Sequence, residues 1–229
     1  AVIPATSACT QKRWSKPTTL RRRSTFSNLQ QAQKLLEAKT AIFWFRRDLR
    51  YEDNRGLYEA LKENDSVQPI FIFDTNILDR LEDPSDARVT FIHDSLQRLN
   101  DELVAQGSTL LVLQGNPADL FSSLSAKAVY ANHDYEPYGR DRDKTVAKLL
   151  NSRNIPFHTF KDIVVFEKDE VVKDDGTPYT VFTPYSRKWK QHLSSHPVST
   201  YSTARFANHL KPASPLTLPS LEDLGFARS

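Results

Sequence analysis

Two kinds of segment alternate along this chain. Short, mostly apolar runs such as Ala41–Phe45 (AIFWF) and Gln68–Phe73 (QPIFIF) end abruptly in charged or turn-forming residues. That pattern suits strands buried on both faces of a parallel sheet. Between them lie longer stretches whose leucines and valines return every three or four positions, the period of a helix with one buried face. The clearest is Asp86–Gln106, where Val89, Ile92, Leu96, Leu99 and Leu103 share a face, Pro84 and Ser85 mark the start and Gly107 the end. The same reading predicts strands over Thr109–Leu113, Ala128–Ala131 and Phe157–Phe160. It predicts helices over Pro117–Leu124 and Tyr138–Ser152, one capped by Asp53 or Asn54 and carrying Leu57, Ala60 and Leu61, and a short one over Asn28–Ala38. Asp74–Ser85 reads as a polar connection.

Strands and helices alternating at this pitch make right-handed βαβ units and a doubly wound parallel sheet, an α/β fold expected over residues 41–170. From Ile163 the pattern loosens into the charged EKDEVVKDDG, a turn at Asp174–Pro178 and YTVFTPYSRKWK. Beyond Trp189 the chain is rich in Ser, Thr and Pro, with Pro197, Pro212, Pro215 and Pro219. Residues 171–229 therefore read as the end of the domain followed by an interdomain linker.

Composition excludes several classes. At 229 residues, with 39% hydrophobic and 26% charged positions, the chain has the make-up of a soluble globular protein. No apolar run approaches the ~18 residues that would suggest a membrane span. Cys9 stands alone, so neither an intrachain disulfide nor a cysteine-based zinc module is expected, and a reducing, intracellular setting fits. Residues 1–40 hold eight of the 31 Lys and Arg against Glu37 alone, which leaves the rest of the chain mildly acidic. A surface of that sign is a poor partner for nucleic acid through phosphate neutralisation alone. The basic head has no acid over residues 1–27, the composition of a chloroplast or mitochondrial transit peptide; an upstream extension of no address fits it equally.

Two strings could carry chemistry. Arg46, Arg47, Asp48, Leu49 and Arg50 follow the first strand, and YANHDYEPYGRDRD (130–143) follows the fourth. In open parallel sheets ligands settle outside the carboxyl ends of the strands, so His133, Asp134, Glu136, Gly139 and Arg140 stand on the right edge. A helix start that attracts acids by its dipole, and a solvated arginine turn, explain the same residues without a ligand. No GxGxxG or P-loop string is present. His93, His158, His192, His196 and His209 lack metal-ligand spacing, and no metal or catalytic residue is assigned.

WFRRDLR followed by DN and a leucine resembles the opening motif of the DNA photolyase and cryptochrome family. EPYGRDRD resembles a recurrent segment of its class I branch, and Tyr179–Trp189 resembles the family's YxVFTPFxxxW signature. In order and spacing these matches cover about residues 41–226. The resemblance implies the N-terminal α/β domain of a class I cyclobutane-dimer photolyase, which holds a light-harvesting antenna. It implies a separate helical C-terminal domain for FAD and damaged DNA, which these residues do not match, so that the chain alone is expected to be catalytically inert. Carried over residue by residue, Phe73 packs a deazaflavin ring and Asp74 lies beside it. Arg88 offsets the chromophore's charge, Asp134 and Glu136 hydrogen-bond it, and Gly139 and Arg140 complete the segment. Folate-type members have an asparagine and a glutamate where this chain has Tyr138 and Gly139, which favours an 8-hydroxy-deazaflavin, or an empty pocket, over folate. Trp44 and Trp189 read as packing residues. A cryptochrome-like photoreceptor domain and a stand-alone nucleotide- or flavin-binding module are the competing functions.

Overall fold

The computed structural model describes residues 29, 30 and 32–229; the basic head and Cys9 lie outside them. Residues 29–30 and 32–35 are helical and lead into strand β1 (Ala41–Phe45). Then follow α1 (Arg55–Glu63), β2 (Val67–Asp74), the single turn α2 (Thr75–Leu78) and α3 (Ala87–Ala105). The order continues with β3 (Leu111–Gly115), α4 (Pro117–Ser123), β4 (Val129–Asn132), α5 (Pro137–Ser152) and β5 (Phe157–Phe160). The five strands pair only in parallel, in the order β3-β2-β1-β4-β5. This is the doubly wound α/β fold the alternation predicts, with the strand order reversing between β1 and β4.

Side chains along each strand alternate between two cores. Ala41, Phe43, Phe45, Val67, Phe71 and Phe73 meet Leu57 and Leu61 of α1 and Leu96, Leu99 and Leu103 of α3 on one face. Ile42, Trp44, Ile70, Ile72, Val129 and Ala131 meet Ala32 and Leu36 of the leading segment, Phe121 of α4, and Val146 and Leu150 of α5 on the other. Burial on both sides is the reason the strands show no polar alternation.

Pro69 sits in the interior strand β2, where its missing N–H would leave a gap in the ladder. The Gln68 amide fills it: Nε2 donates to Thr109 O at 2.8 Å, and regular pairing with β3 begins only at Ile70 and Leu111. For that reason β3 starts two residues later than the apolar run suggests.

Two features of the carboxyl half were not legible as elements. Residues 182–195 form a helix, α6 (Phe182–Ser195), none of whose residues is buried. Pro184 lies in its first turn, where a missing donor is tolerated. Phe166 meets Trp189 and His192 with ring centroids 5.5 and 4.8 Å apart. The stretch whose composition reads as linker is laid against the domain. Leu210, Leu218, Leu221, Leu224 and Phe226 are buried in the α1/α3 core, and Lys211 N donates to Val67 O at 2.8 Å. Prolines there suppress regular structure, while apolar side chains spaced between them still anchor the chain.

Gln68→Leu keeps the volume and removes the donor to Thr109. The variant is expected to lose roughly 1–3 kcal/mol in urea unfolding, the cost of one buried unsatisfied carbonyl.

Candidate functional site

A cavity of about 440 Å³ opens at the carboxyl ends of β1 and β2, beside the segment that follows β4. Its volume falls within the ~300–1,000 Å³ of small-molecule sites. The apolar part comes from Trp44, Phe71 and Phe73 at the strand ends and from Ile77, Leu78 and Ile92 of the helices. The polar part comes from Asp74, Arg88, Asp134, Glu136, Tyr138 and Arg142.

Each polar group is set by a local cause. Asp74 ends β2 and caps α2, accepting from Asn76 N at 3.0 Å. Its other oxygen accepts from Tyr138 Oη at 2.6 Å. Burial first, then that bond to a carboxylate, pushes the Tyr138 phenol above its ordinary value. Asp134 accepts from Glu136 N at 3.1 Å and from Arg142 Nη2 at 3.2 Å. Gly139 lies directly beneath it: a Cβ there would stand 2.3 Å from the Asp134 carboxyl carbon, so only glycine lets α5 begin this close. Arg88 stands at the rim, 74% exposed, and donates to its own helix cap Asp86 at 2.6 Å. That bond draws the Asp86 carboxyl below the usual range. Glu136 and Arg47 form an exposed pair at 2.7 Å that contributes about 0–1 kcal/mol.

Trp44 is the least expected member. It is 1% exposed and packs on Phe121, as a core residue would, yet it also lines the cavity. The Arg46 and Arg142 guanidinium carbons each lie 5.0 Å from its ring centroid. Both arginines are anchored by Asp143, with contacts of 2.5 Å from Arg46 Nη1 and 3.0 Å from Arg142 Nη2. The indole Nε1 is buried without a hydrogen-bond partner. Arg142 lies three residues after Gly139 and four after Tyr138, so helical spacing from the EPYG segment points to it; burial of Trp44 concealed its second role.

Of the seven residues singled out from sequence, Phe73, Asp74, Arg88, Asp134, Glu136 and Gly139 line this cavity. Arg140 instead lines a more open groove on the other flank of α5, with Tyr135, Lys144 and Lys168. The two directions diverge within a single turn, because successive residues leave the helix axis about 100° apart. At that groove Tyr135 Oη donates to Glu167 Oε2 at 2.5 Å, and His133 Nδ1 lies 2.8 Å from the same oxygen. Burial raises the Glu167 carboxyl, but the bonds from Tyr135 and His133 together outweigh it and hold it below its usual value. Among the described residues no group of three or more His, Cys, Asp or Glu is placed to hold a metal ion, and no helix is long and apolar enough to cross a membrane.

Comparison with known proteins gives a consistent answer. The family model described as DNA photolyase matches residues 41–203. The deoxyribodipyrimidine photo-lyase of a Synechococcus strain is 36% identical over 198 residues, 82% of this chain and 41% of that protein. An archaeal photolyase from Sulfolobus tokodaii, solved with two FAD molecules, aligns at TM-score 0.55 and 32% identity over 70% of this chain and 35% of its own. A class III photolyase from Agrobacterium tumefaciens aligns at TM-score 0.67 and 25% identity over 82% of this chain and 38% of its own. The chain thus spans less than half the length of these relatives.

Gly139→Ala forces the Asp134 carboxyl aside and with it the Arg142 contact. The variant is expected to unfold about 1–3 kcal/mol more easily in a chemical melt. The low Glu167 carboxyl gives a pH signature. Its contribution to stability is full above about pH 4.5 and is lost as pH falls through the depressed folded value. Glu167→Gln is therefore expected to be less stable than the parent at neutral pH, with the gap closing in paired urea titrations as pH falls below the ordinary carboxylate range.

Proposed function

Because the chain belongs to the DNA photolyase family, whose model it matches over residues 41–203, we propose that the cavity at the ends of β1 and β2 seats a light-harvesting chromophore. In this reading the chain is the antenna domain of a class I cyclobutane-dimer photolyase. FAD and damaged DNA are handled by a helical domain of the kind the family resemblance implies. The Sulfolobus photolyase, with its two FAD molecules, implies a novel light-harvesting cofactor in that protein, which supports looking for one here.

The observation that carries the reading is the lining itself. A flat aromatic ligand needs apolar walls and a few polar groups at its rim, and Phe71, Phe73 and Trp44 supply the first while Asp134, Glu136 and Arg88 supply the second. An 8-hydroxy-deazaflavin type is preferred to folate, since Tyr138 is bound to Asp74 and no side chain at Gly139 reaches into the space. Such a pigment, when bound, absorbs light and passes the excitation on without bond chemistry. The residues of this chain bind and orient it: Phe73 packs one ring face, Arg88 offsets negative charge at the rim, and Asp134 and Glu136 accept hydrogen bonds from ring N–H groups. The ion pairs among Arg46, Arg142, Asp134 and Asp143 hold those groups in place beforehand.

Titration of the purified chain with 8-hydroxy-deazaflavin, followed by visible absorbance and by quenching of tryptophan emission, is expected to saturate near one equivalent. Phe73→Ala is expected to weaken binding about tenfold or more, the loss of one buried aromatic contact. Folate is expected to bind far more weakly. Tight binding of ATP with none of the deazaflavin would overturn the reading in favour of a nucleotide module.

A further inference from the structure

The other end of the same sheet edge carries a separate pocket, lined by Arg50, Arg55, Lys161, His196, Ser199 and Tyr201 among others, and it shares no lining residue with the chromophore cavity. Its volume is about 230 Å³. The notable member is Arg55, the first residue of α1. The helix end itself is already satisfied: Asn54 Oδ1 accepts from Leu57 N at 3.1 Å, and Asp162 Oδ1 accepts from Arg55 N at 2.9 Å. The Arg55 side chain is not. Its guanidinium lies over the Tyr201 ring at 5.6 Å and the Phe160 ring at 6.0 Å, and its Nε is buried without a hydrogen-bond partner.

The surrounding charges are matched elsewhere. Arg50 Nη2 donates to both Asp162 oxygens, at 2.9 and 2.8 Å, and Lys161 pairs with Glu170 at 2.7 Å. Asp53 Oδ1 accepts from Tyr201 N at 2.9 Å. Among the described residues no acceptor meets the Arg55 guanidinium, although every acid around it has a donor. A planar cation held against two aromatic rings presents a fork suited to bidentate recognition, and its natural complement is an oxyanion.

We infer that this pocket is a site for a single phosphate-type oxyanion, with Arg55 as its anchor and the Ser199 hydroxyl and His196 ring at its wall. Size sets the class: the volume falls below the ~300–1,000 Å³ of drug-sized ligands, so the pocket takes one tetrahedral group rather than a whole nucleotide. That group is either the free ion or the end of a phosphomonoester whose remainder stays outside.

The test uses the full chain, labelled with ¹⁵N, in titrations with inorganic phosphate at constant ionic strength held by chloride. The Arg55 Nε–H signal is assigned as the one absent from both Arg55→Lys and Arg55→Leu. It is expected to shift saturably in the millimolar range with phosphate and not with chloride. Backbone signals of the pocket are expected to follow the same curve. Arg55→Lys keeps the charge and loses the fork, and its backbone response is expected to weaken about tenfold. Adenosine monophosphate separates the two sources: a response matching that of phosphate assigns any terminal phosphate, and none assigns the free ion. A linear, unsaturated response, an equal response to acetate, or unchanged phosphate binding in Arg55→Leu overturns the inference. Because Arg55 is remote from the chromophore cavity, deazaflavin binding by both variants serves as the control for folding.

Discussion

A single buried carboxylate ties together the three chain segments that meet at the reversal of strand order. Asp48, 5% exposed, accepts from Arg46 N at 3.2 Å, from Asn54 Nδ2 at 3.1 Å and from Asn132 Nδ2 at 2.5 Å. These donors belong to the turn after β1, the cap of α1 and the end of β4. Asn132 Oδ1 in turn accepts from Gly56 N at 2.9 Å, and a Cβ on Gly56 would stand 2.5 Å from that oxygen. In a low-dielectric interior such a network is rigid when every member is satisfied and costly when one is not. It fixes where Arg46 and Arg47 leave the sheet, and through them the charged wall of the cavity.

The two proposed sites then follow from one layout. The carboxyl edge of the sheet presents the ends of β1 and β2 on one side and of β5 on the other, with the knot around Asp48 between them. On the first side aromatic strand ends meet the start of α5, and ion pairs hold the polar groups before any ligand arrives. On the second, Asp162 closes the start of α1 and leaves the arginine beside it turned toward two rings. Pre-paired charges at the first site leave shape and ring contacts to select the ligand. An unpaired cation at the second leaves selection to charge and geometry.

Much of this was legible in the chain. Strands buried on both faces must be continuously apolar, so AIFWF and QPIFIF stand out, and the long face of α3 repeats with helical period. EPYGRDRD marked the start of α5 because proline suits the first position of a helix and glycine lets another segment approach closely. Other features were hidden for physical reasons. Gln68 reads as an exception within an apolar run, and its use is visible only once its amide is seen to reach Thr109 O beside Pro69. Arg140 and Arg142 look equivalent in the string, but the helix turns them to opposite flanks. The carboxyl-terminal stretch has the composition of a spacer, and only the spacing of Leu210, Leu218, Leu221 and Phe226 tells that it is anchored. Arg55 carried no signal at all, since its partners Phe160 and Tyr201 are distant in sequence.

The helix α6 has a consequence of a different kind. With no residue of its own buried, Val181 and Phe182 at its start 60% and 77% exposed, and Val198 just beyond its end 63% exposed, it draws little of its persistence from the domain it rides on. It will open and close on its own clock, shedding its amide protons to solvent while the five strands keep theirs, and among the described residues it offers a protease a ready handle.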